Sequence, residues 1–299
     1  MKGGSHIHFG QAAEQHDSRL RELSRSAAPR AGFTIVEVMI VLAITGLLFV
    51  SAVALISGRQ NRTEFQTSIN NVKTQLQQVI SDVETGFYPT TNNLVCSVGG
   101  SGALSFSTAS NTQGSSQDCI FLGKVLQFGV QNTDPQQIMA YSIAGRRQLN
   151  KVDVTSYADA APAVMTTSAS NPTNIPTSIL KLQYGLTIKP NSLTYTSGGT
   201  TTQIGAVGFM STLNAFDTNK SGAQSVQLVP IKNTSLNQTP AAAVTAINAN
   251  LPTSTINPSG GVSMCFVSNG SDQSGLITIG GNGRELSVTL SIRGNNTCS

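Results

Sequence analysis

Charged residues are scarce in this chain. Asp, Glu, Lys and Arg together make up 11% of the 299 residues, less than half of the share of about a quarter that is usual in globular proteins. This composition argues against a charged disordered tail and against an intracellular α/β enzyme. The formal net charge is only +4, and the 18 basic residues are spread over the whole chain. The sequence therefore does not predict a nucleic-acid-binding face.

Histidine is confined to the start of the chain, as His6, His8 and His16. If this segment is removed, a His-dependent nucleophilic site or a His-ligated metal site is excluded from the remainder. Residues 217–222 resemble the first half of a calcium loop, but Leu228 stands where the bidentate acid is needed. No Gly-rich phosphate loop or paired-carboxylate site stands out. We therefore expect no enzyme activity, no cofactor and no bound metal.

One long apolar run follows the polar N-terminal segment. Phe33 to Ile56 spans 24 residues, in which Glu37 is the single charged residue. As a helix rising 1.5 Å per residue, this run would span about 36 Å, enough to cross a bilayer. Four arginines precede it: Arg19, Arg21, Arg25 and Arg30. Because basic flanks stay in the cytoplasm, we expect one span of the inner membrane, with a cytoplasmic N-terminus and an extracytoplasmic remainder.

The apolar run has three interpretations. Ala52-Val53-Ala54 is similar to a secretory cleavage site, but the run is longer than the roughly 7–15 apolar residues of a secretory signal. A plain signal anchor leaves Glu37 unexplained, although a carboxylate inside a membrane helix costs roughly 2.5–3.5 kcal/mol and usually has a partner. The third interpretation accounts for this acid.

The stretch Ala31-Gly-Phe-Thr-Ile-Val-Glu37, with the apolar run behind it, resembles the prepilin peptidase signature of type IV pilins and type II secretion pseudopilins. The resemblance implies cleavage after Gly32 and N-methylation of Phe33. It also implies that Glu37 pairs with the N-terminal amine of a neighbouring subunit and sets the axial stagger. Physically, an unpaired charge on an apolar surface is costly, and the newly exposed cationic amine is a complementary partner.

The same resemblance also implies which proteins the chain interacts with. These are a prepilin peptidase and methyltransferase, other pilin or pseudopilin subunits, and an inner-membrane assembly platform. The enzyme activity belongs to the processing peptidase and not to this chain. The final location would be an extracytoplasmic filament, in the periplasm or at the cell surface.

The helix is predicted to continue beyond the membrane as an amphipathic segment. Apolar residues recur at spacings of three and four, as Phe65, Ile69, Val72, Leu76, Val79, Ile80 and Val83. Gly86 and Pro89 are expected to end it. We expect an α+β, pilin-like fold, in which this long helix packs on a C-terminal antiparallel β-sheet domain. The expected segments are a cleaved leader (1–32), the transmembrane and assembly helix (33–86) and a globular β-rich extracytoplasmic domain (87–299).

The remainder of the chain alternates short apolar runs with turn-rich stretches. We predict loops at 97–118 and 155–178. Predicted strands are Ile120–Val130, with Gly123 marking a bulge or break, and Leu180–Ile188, Ile204–Met210 and Ser225–Ile231. The last three runs predict an antiparallel meander: Val262–Ser268, Leu276–Ile279 and Glu285–Ile292. This last stretch, about forty residues, resembles the C-terminal sheet of the pseudopilin group typified by the type II secretion minor component H.

Four cysteines follow the helix: Cys96, Cys119, Cys265 and Cys298. An even number in an exported, weakly charged chain predicts two disulfides, with three connectivities available. We favour pairing of sequence neighbours, Cys96 with Cys119 and Cys265 with Cys298. The first bond would close the 97–118 loop, and the second would attach the C-terminal tail to the meander. Each bond would contribute on the order of 3 kcal/mol. Free thiols are the alternative, and the absence of C-x₂₋₄-C spacing argues against zinc.

The sequence thus predicts a structural filament subunit, a minor pilin or pseudopilin of a type IV pilus or type II secretion-like system. The large domain and its polar loops favour a minor, tip or adhesive component. Arg146, Arg147 and Lys151 form a small basic cluster, which we interpret as a solvated loop and not as a DNA-binding site. The alternatives are a monomeric membrane-anchored binding protein or adhesin and, less favoured without histidine, an exported hydrolase.

Overall fold

The computed structural model describes residues 32–86, 94–108, 118–129, 136–166, 177–213, 226–232, 239–252, 260–280, 286–294 and 297–298. The predicted leader up to residue 31 and the stretch similar to a calcium loop at 217–222 lie outside the described residues. The chain divides into two compact units, Met1–Ala54 and Leu55–Ser299. Their boundary falls inside the first helix, so the amphipathic part of that helix belongs to the same unit as the β-domain.

The described residues form three helices and sixteen strands in a clear order along the chain. The helices are α1 (Ile35–Glu84), α2 (Tyr157–Ala160) and α3 (Pro240–Asn250). The first eight strands are β1 (Leu94–Val98), β2 (Leu104–Thr108), β3 (Cys119–Phe128), β4 (Gln137–Arg146), β5 (Gln148–Leu149), β6 (Val152–Asp153), β7 (Ala163–Val164) and β8 (Thr177–Lys181). The remaining eight are β9 (Leu186–Ile188), β10 (Thr194–Ser197), β11 (Thr200–Gln203), β12 (Ala206–Ser211), β13 (Val226–Ile231), β14 (Gly260–Ser268), β15 (Ser274–Gly280) and β16 (Ser287–Arg293).

Two six-stranded antiparallel sheets organise the β-domain. The central sheet has the order β13-β12-β3-β4-β7, with β8 also paired to β4. The C-terminal sheet has the order β11-β10-β14-β15-β16, with β9 also paired to β14. Strands β1 and β2 form a separate hairpin, as do β5 and β6. The long helix and the antiparallel sheets together confirm the predicted α+β, pilin-like class.

The amphipathic half of α1 lies in the main core between residues of both sheets. All seven apolar residues of the predicted stripe are buried. They share one cluster with Leu126 and Phe209 of the central sheet and with Met264 and Ile277 of the C-terminal sheet. Gly275 permits close contact here, because an added Cβ would lie 2.8 Å from Ile69 Cγ1. Spacing of three and four therefore identified the buried face correctly.

A second core covers the opposite face of the central sheet. Helices α2 and α3 pack there on strand residues that include Leu122, Val125 and Ile143. The Tyr157 hydroxyl donates to the Ser211 carbonyl at 2.6 Å, and burial raises the pKa of Tyr157. The phenol therefore stays a protonated donor inside this layer, which satisfies a polar group that would otherwise be costly to bury.

One ion pair joins α1 to the central sheet, and it is the single salt bridge among the described residues. Lys124 Nζ lies 2.6 Å from Asp82 Oδ2, and the two side chains are 9% and 20% exposed. The other carboxylate oxygen, Oδ1, accepts a hydrogen bond from Gln78 Nε2 at 2.7 Å. Both oxygens of Asp82 are thus engaged, which is the arrangement that a mostly desolvated carboxylate requires.

Both disulfides join sequence neighbours, as the sequence analysis favours. Cys96 of β1 bonds Cys119 of β3, and Cys265 of β14 bonds Cys298 in the C-terminal tail. The first bond attaches the β1–β2 hairpin to the central sheet. The second places the tail on β15, where the Ser274 hydroxyl donates to the Thr297 carbonyl at 3.0 Å.

Several local predictions were wrong. The expected loops contain β2, which lies within 97–118, and α2 and β7, which lie within 155–178. The expected strand Leu180–Ile188 is split into β8 and β9, because residues 184 and 185 have positive φ and turn the chain. Strand β4 and helix α3 had no prediction. The C-terminal meander, in contrast, is confirmed as β14, β15 and β16.

Gly123 forms the predicted bulge, and its replacement is expected to destabilise the domain. The register of β3 and β4 shifts between Phe121 and Gly123. Gly123 has φ +156°, and an added Cβ would lie 2.1 Å from the Phe209 carbonyl oxygen. We expect Gly123→Ala to lower the free energy of unfolding by about 2 kcal/mol.

Denaturant unfolding of the full chain in detergent, followed by circular dichroism, measures this effect. Gly261→Ala is the matched control, because its added Cβ meets only the Ile279 carbonyl oxygen at 3.5 Å. Equal stability of the two variants would contradict a steric requirement for glycine at the bulge.

Candidate assembly site

The first part of α1 exposes a continuous apolar surface. From Ile35 to Ile56 the large apolar side chains are between 46% and 81% exposed. Among the described residues, α1 is the one helix long and apolar enough to cross a membrane, and its most apolar stretch is entirely exposed. Such a surface is costly in water and requires lipid or other apolar helices as its surroundings.

The helix begins with a reciprocal pair of side-chain hydrogen bonds. Thr34 precedes the first helical residue, and its carbonyl accepts from the Val38 amide at 3.2 Å. The Thr34 hydroxyl accepts from the Glu37 amide at 3.2 Å. In return, Glu37 Oε2 accepts from the Thr34 amide at 2.9 Å and from the Thr34 hydroxyl at 3.0 Å. This is a capping box, which satisfies amide groups that the first helical turn leaves unpaired.

The capping box also fixes the position of the acid. Glu37 Oε2 is bound within the chain, whereas Oε1 has no hydrogen-bond partner among the described residues. The side chain therefore keeps one free acceptor, held within one turn of Phe33. The Phe33 side chain is itself 86% exposed. A cation from outside the chain can reach Oε1 without disturbing the bonds to Thr34.

The predicted site residues thus divide into two groups. Gly32, Phe33 and Glu37 lie together at the start of α1, while the four cysteines belong to the second compact unit and have structural roles there. Sequence reasoning missed Thr34, although Thr-x-x-Glu before an apolar run is a readable capping signature. It treated Glu37 as lacking a partner in its own chain, and the structure supplies one.

The comparison with protein families agrees with this part of the chain. Residues 28–53 match the family described as the prokaryotic N-terminal methylation motif. No curated protein and no solved structure matches the chain. The chain therefore carries a prepilin signal like that of type IV pilins and pseudopilins, which implies processing by a prepilin peptidase and assembly with other pilins. The signal and the apolar helix together indicate membrane anchoring. The similarity of the meander to the pseudopilin H group stays a prediction.

Proposed function

We propose that the chain is a structural subunit, a minor pilin or pseudopilin, of a type IV pilus or type II secretion-like filament. It is inserted in the inner membrane with a cytoplasmic N-terminus and is cut between Gly32 and Phe33. Phe33 is then N-methylated, and the subunit polymerises outside the cytoplasm through α1. In this proposal the chain is not itself an enzyme. The observation that carries the proposal is the motif match at residues 28–53.

The geometry of the site supports the proposal in chemical terms. Cleavage at Gly32 would create a cationic amine on Phe33, within one turn of the free Oε1 of Glu37. In a filament, the amine of one subunit and the carboxylate of the next would neutralise each other between apolar helices. Such a pair gains most where water is excluded, and it is formed only at one axial stagger. Apolar contact would then hold the subunits together, and Glu37 would set their register.

Mass spectrometry of the N-terminus of the native protein tests the proposal. We expect the chain to begin at Phe33 and to carry one additional methyl group on its amine. An intact leader, or a new terminus at Leu55, would contradict processing by a prepilin peptidase. The first of these results fits a plain membrane anchor, and the second fits a secreted binding protein.

A further inference from the structure

A polar cavity lies beside the first disulfide, in the unit that contains the β-domain. It measures about 430 Å³, and the described residues that line it are Val98, Asp118, Arg147 and Gln148. This volume falls within the range of about 300–1,000 Å³ that is common for small-ligand sites. The role proposed above for α1 does not involve these residues.

The walls of the cavity are held by three separate links. The Cys96–Cys119 bond attaches the strand that carries Val98 to β3. Arg146 Nη1 donates to the Gly102 carbonyl at 3.1 Å, which fixes the β1–β2 turn, and Arg146 Nε donates to the Asp159 carbonyl. The Arg147 amide donates to the Asp118 carbonyl at 2.7 Å. These links fix the backbone of the cavity walls, which lowers the cost of ordering them when a ligand binds.

The charges that line the cavity are opposite but unpaired. Asp118 and Arg147 are both exposed, and neither takes part in the single salt bridge among the described residues. Gln148 Nε2 donates to Asp153 Oδ1 at 2.9 Å, which orients the amide and leaves its oxygen as an acceptor. The described residues of the lining therefore present one cationic donor, two acceptors and one apolar side chain.

This set of groups matches the chemistry of an acidic sugar. A guanidinium binds a carboxylate through two parallel hydrogen bonds. Carboxylate and amide oxygens accept from hydroxyl groups, and an apolar side chain packs against the C–H face of a ring. A simple anion such as phosphate offers the guanidinium an acceptor but has no ring hydroxyls for Asp118, and a neutral sugar offers hydroxyls but has no carboxylate for Arg147.

We propose that this cavity binds a sugar unit that bears a carboxylate, of the uronic or sialic acid type. The Arg147 guanidinium binds the carboxylate, while the side-chain oxygens of Asp118 and Gln148 accept hydrogen bonds from the ring hydroxyls. The Arg146 guanidinium binds protein carbonyls and therefore holds the cavity wall without being free for the ligand. The inference goes beyond filament assembly and gives the β-domain a recognition role.

Isothermal titration calorimetry on the full-length chain in detergent tests the proposal. The probes are D-galacturonate, D-glucuronate and N-acetylneuraminate, with D-galactose and inorganic phosphate for comparison. We expect at least one acidic sugar to bind with a Kd at least about tenfold lower than that of D-galactose or phosphate. Arg147→Gln should raise that Kd at least about tenfold, and Asp118→Asn at least about threefold. Lys151→Gln removes a nearby exposed cation that does not line the cavity, and it should leave the Kd within about twofold.

Four outcomes would overturn the proposal. The first is that no acidic sugar shows saturable binding. The second and third are that D-galactose, or phosphate, binds with the same Kd as the best acidic sugar. The fourth is that Lys151→Gln raises the Kd for the acidic sugar as much as Arg147→Gln does. Equal binding of phosphate, or an equal effect of Lys151→Gln, would indicate that the basic residues attract anions in general, including nucleic acid. Far-ultraviolet circular dichroism of each variant confirms folding. Sugar binding is measured on the unassembled chain. A failure to bind sugar is therefore distinguishable from a failure to polymerise.

Discussion

Glu37→Ala should leave cleavage after Gly32 largely intact and reduce incorporation of the subunit into filaments at least roughly tenfold. In the proposed filament, the substitution would leave the Phe33 amine of the neighbouring subunit without its counter-charge between apolar helices. Breaking a desolvated ion pair by removing one partner costs about 3–5 kcal/mol, and about 1.4 kcal/mol already corresponds to a factor of ten. Immunoblotting of sheared filaments against the membrane fraction measures incorporation, and the mass of the subunit measures cleavage.

One further variant separates the charge of Glu37 from its helix-capping role, and a second serves as a control. Glu37→Gln keeps a side chain that can complete the capping box with Thr34 but removes the charge. If the charge sets the register, Glu37→Gln should be as defective as Glu37→Ala. Glu64→Ala is the matched control, because it removes an acid from the same helix, one that accepts from Gln60 at 2.8 Å. Normal incorporation of Glu37→Gln would contradict the ion-pair argument and leave Glu37 with a capping role.

Asp82→Asn should lower the free energy of unfolding of the β-domain by about 3 kcal/mol, because it leaves the Lys124 ammonium desolvated without a counter-charge. The side chain of Lys124 is only 9% exposed, so water can replace little of the lost interaction. A loss of this size corresponds to a fall in Tm of roughly 6–12 °C for a domain of this length. Thermal unfolding of the full chain in detergent, followed by circular dichroism, gives this value.

A double-mutant cycle measures the interaction free energy between Asp82 and Lys124. Lys124→Met removes the buried charge and keeps the apolar stem, so the double variant Asp82→Asn/Lys124→Met should recover most of the stability lost in Asp82→Asn. Asp272→Asn, at an exposed acid, should change the free energy of unfolding by less than about 0.5 kcal/mol. Additive effects of the two single substitutions would show that the pair does not stabilise the contact between α1 and the sheet.

Strong periodicity made α1 and the C-terminal meander predictable. Both depend on local patterns: the stripe from Phe65 to Val83 reports which side of the helix is buried, and the turn signal at Asn269-Gly270 reports where one strand ends and the next begins. Strand β4 escaped prediction because its residues 140–145 are all buried. A strand covered on both faces lacks the alternation of polar and apolar residues that identifies a half-buried strand. Helix α3 did carry a readable start, because Thr239 caps it and Pro240 lies in its first turn.

The sequence by itself determined the prepilin signal, the long helix with its buried stripe, and the presence of four cysteines in an otherwise weakly charged chain. These features depend on residues that are neighbours in sequence or one helical turn apart. Only the tertiary structure decided the pairing of Asp82 with Lys124 and the meeting of Asp118 and Arg147 at one cavity. Those contacts depend on strand register and on the packing of α1 against two sheets, which arise from the whole core and leave no local pattern.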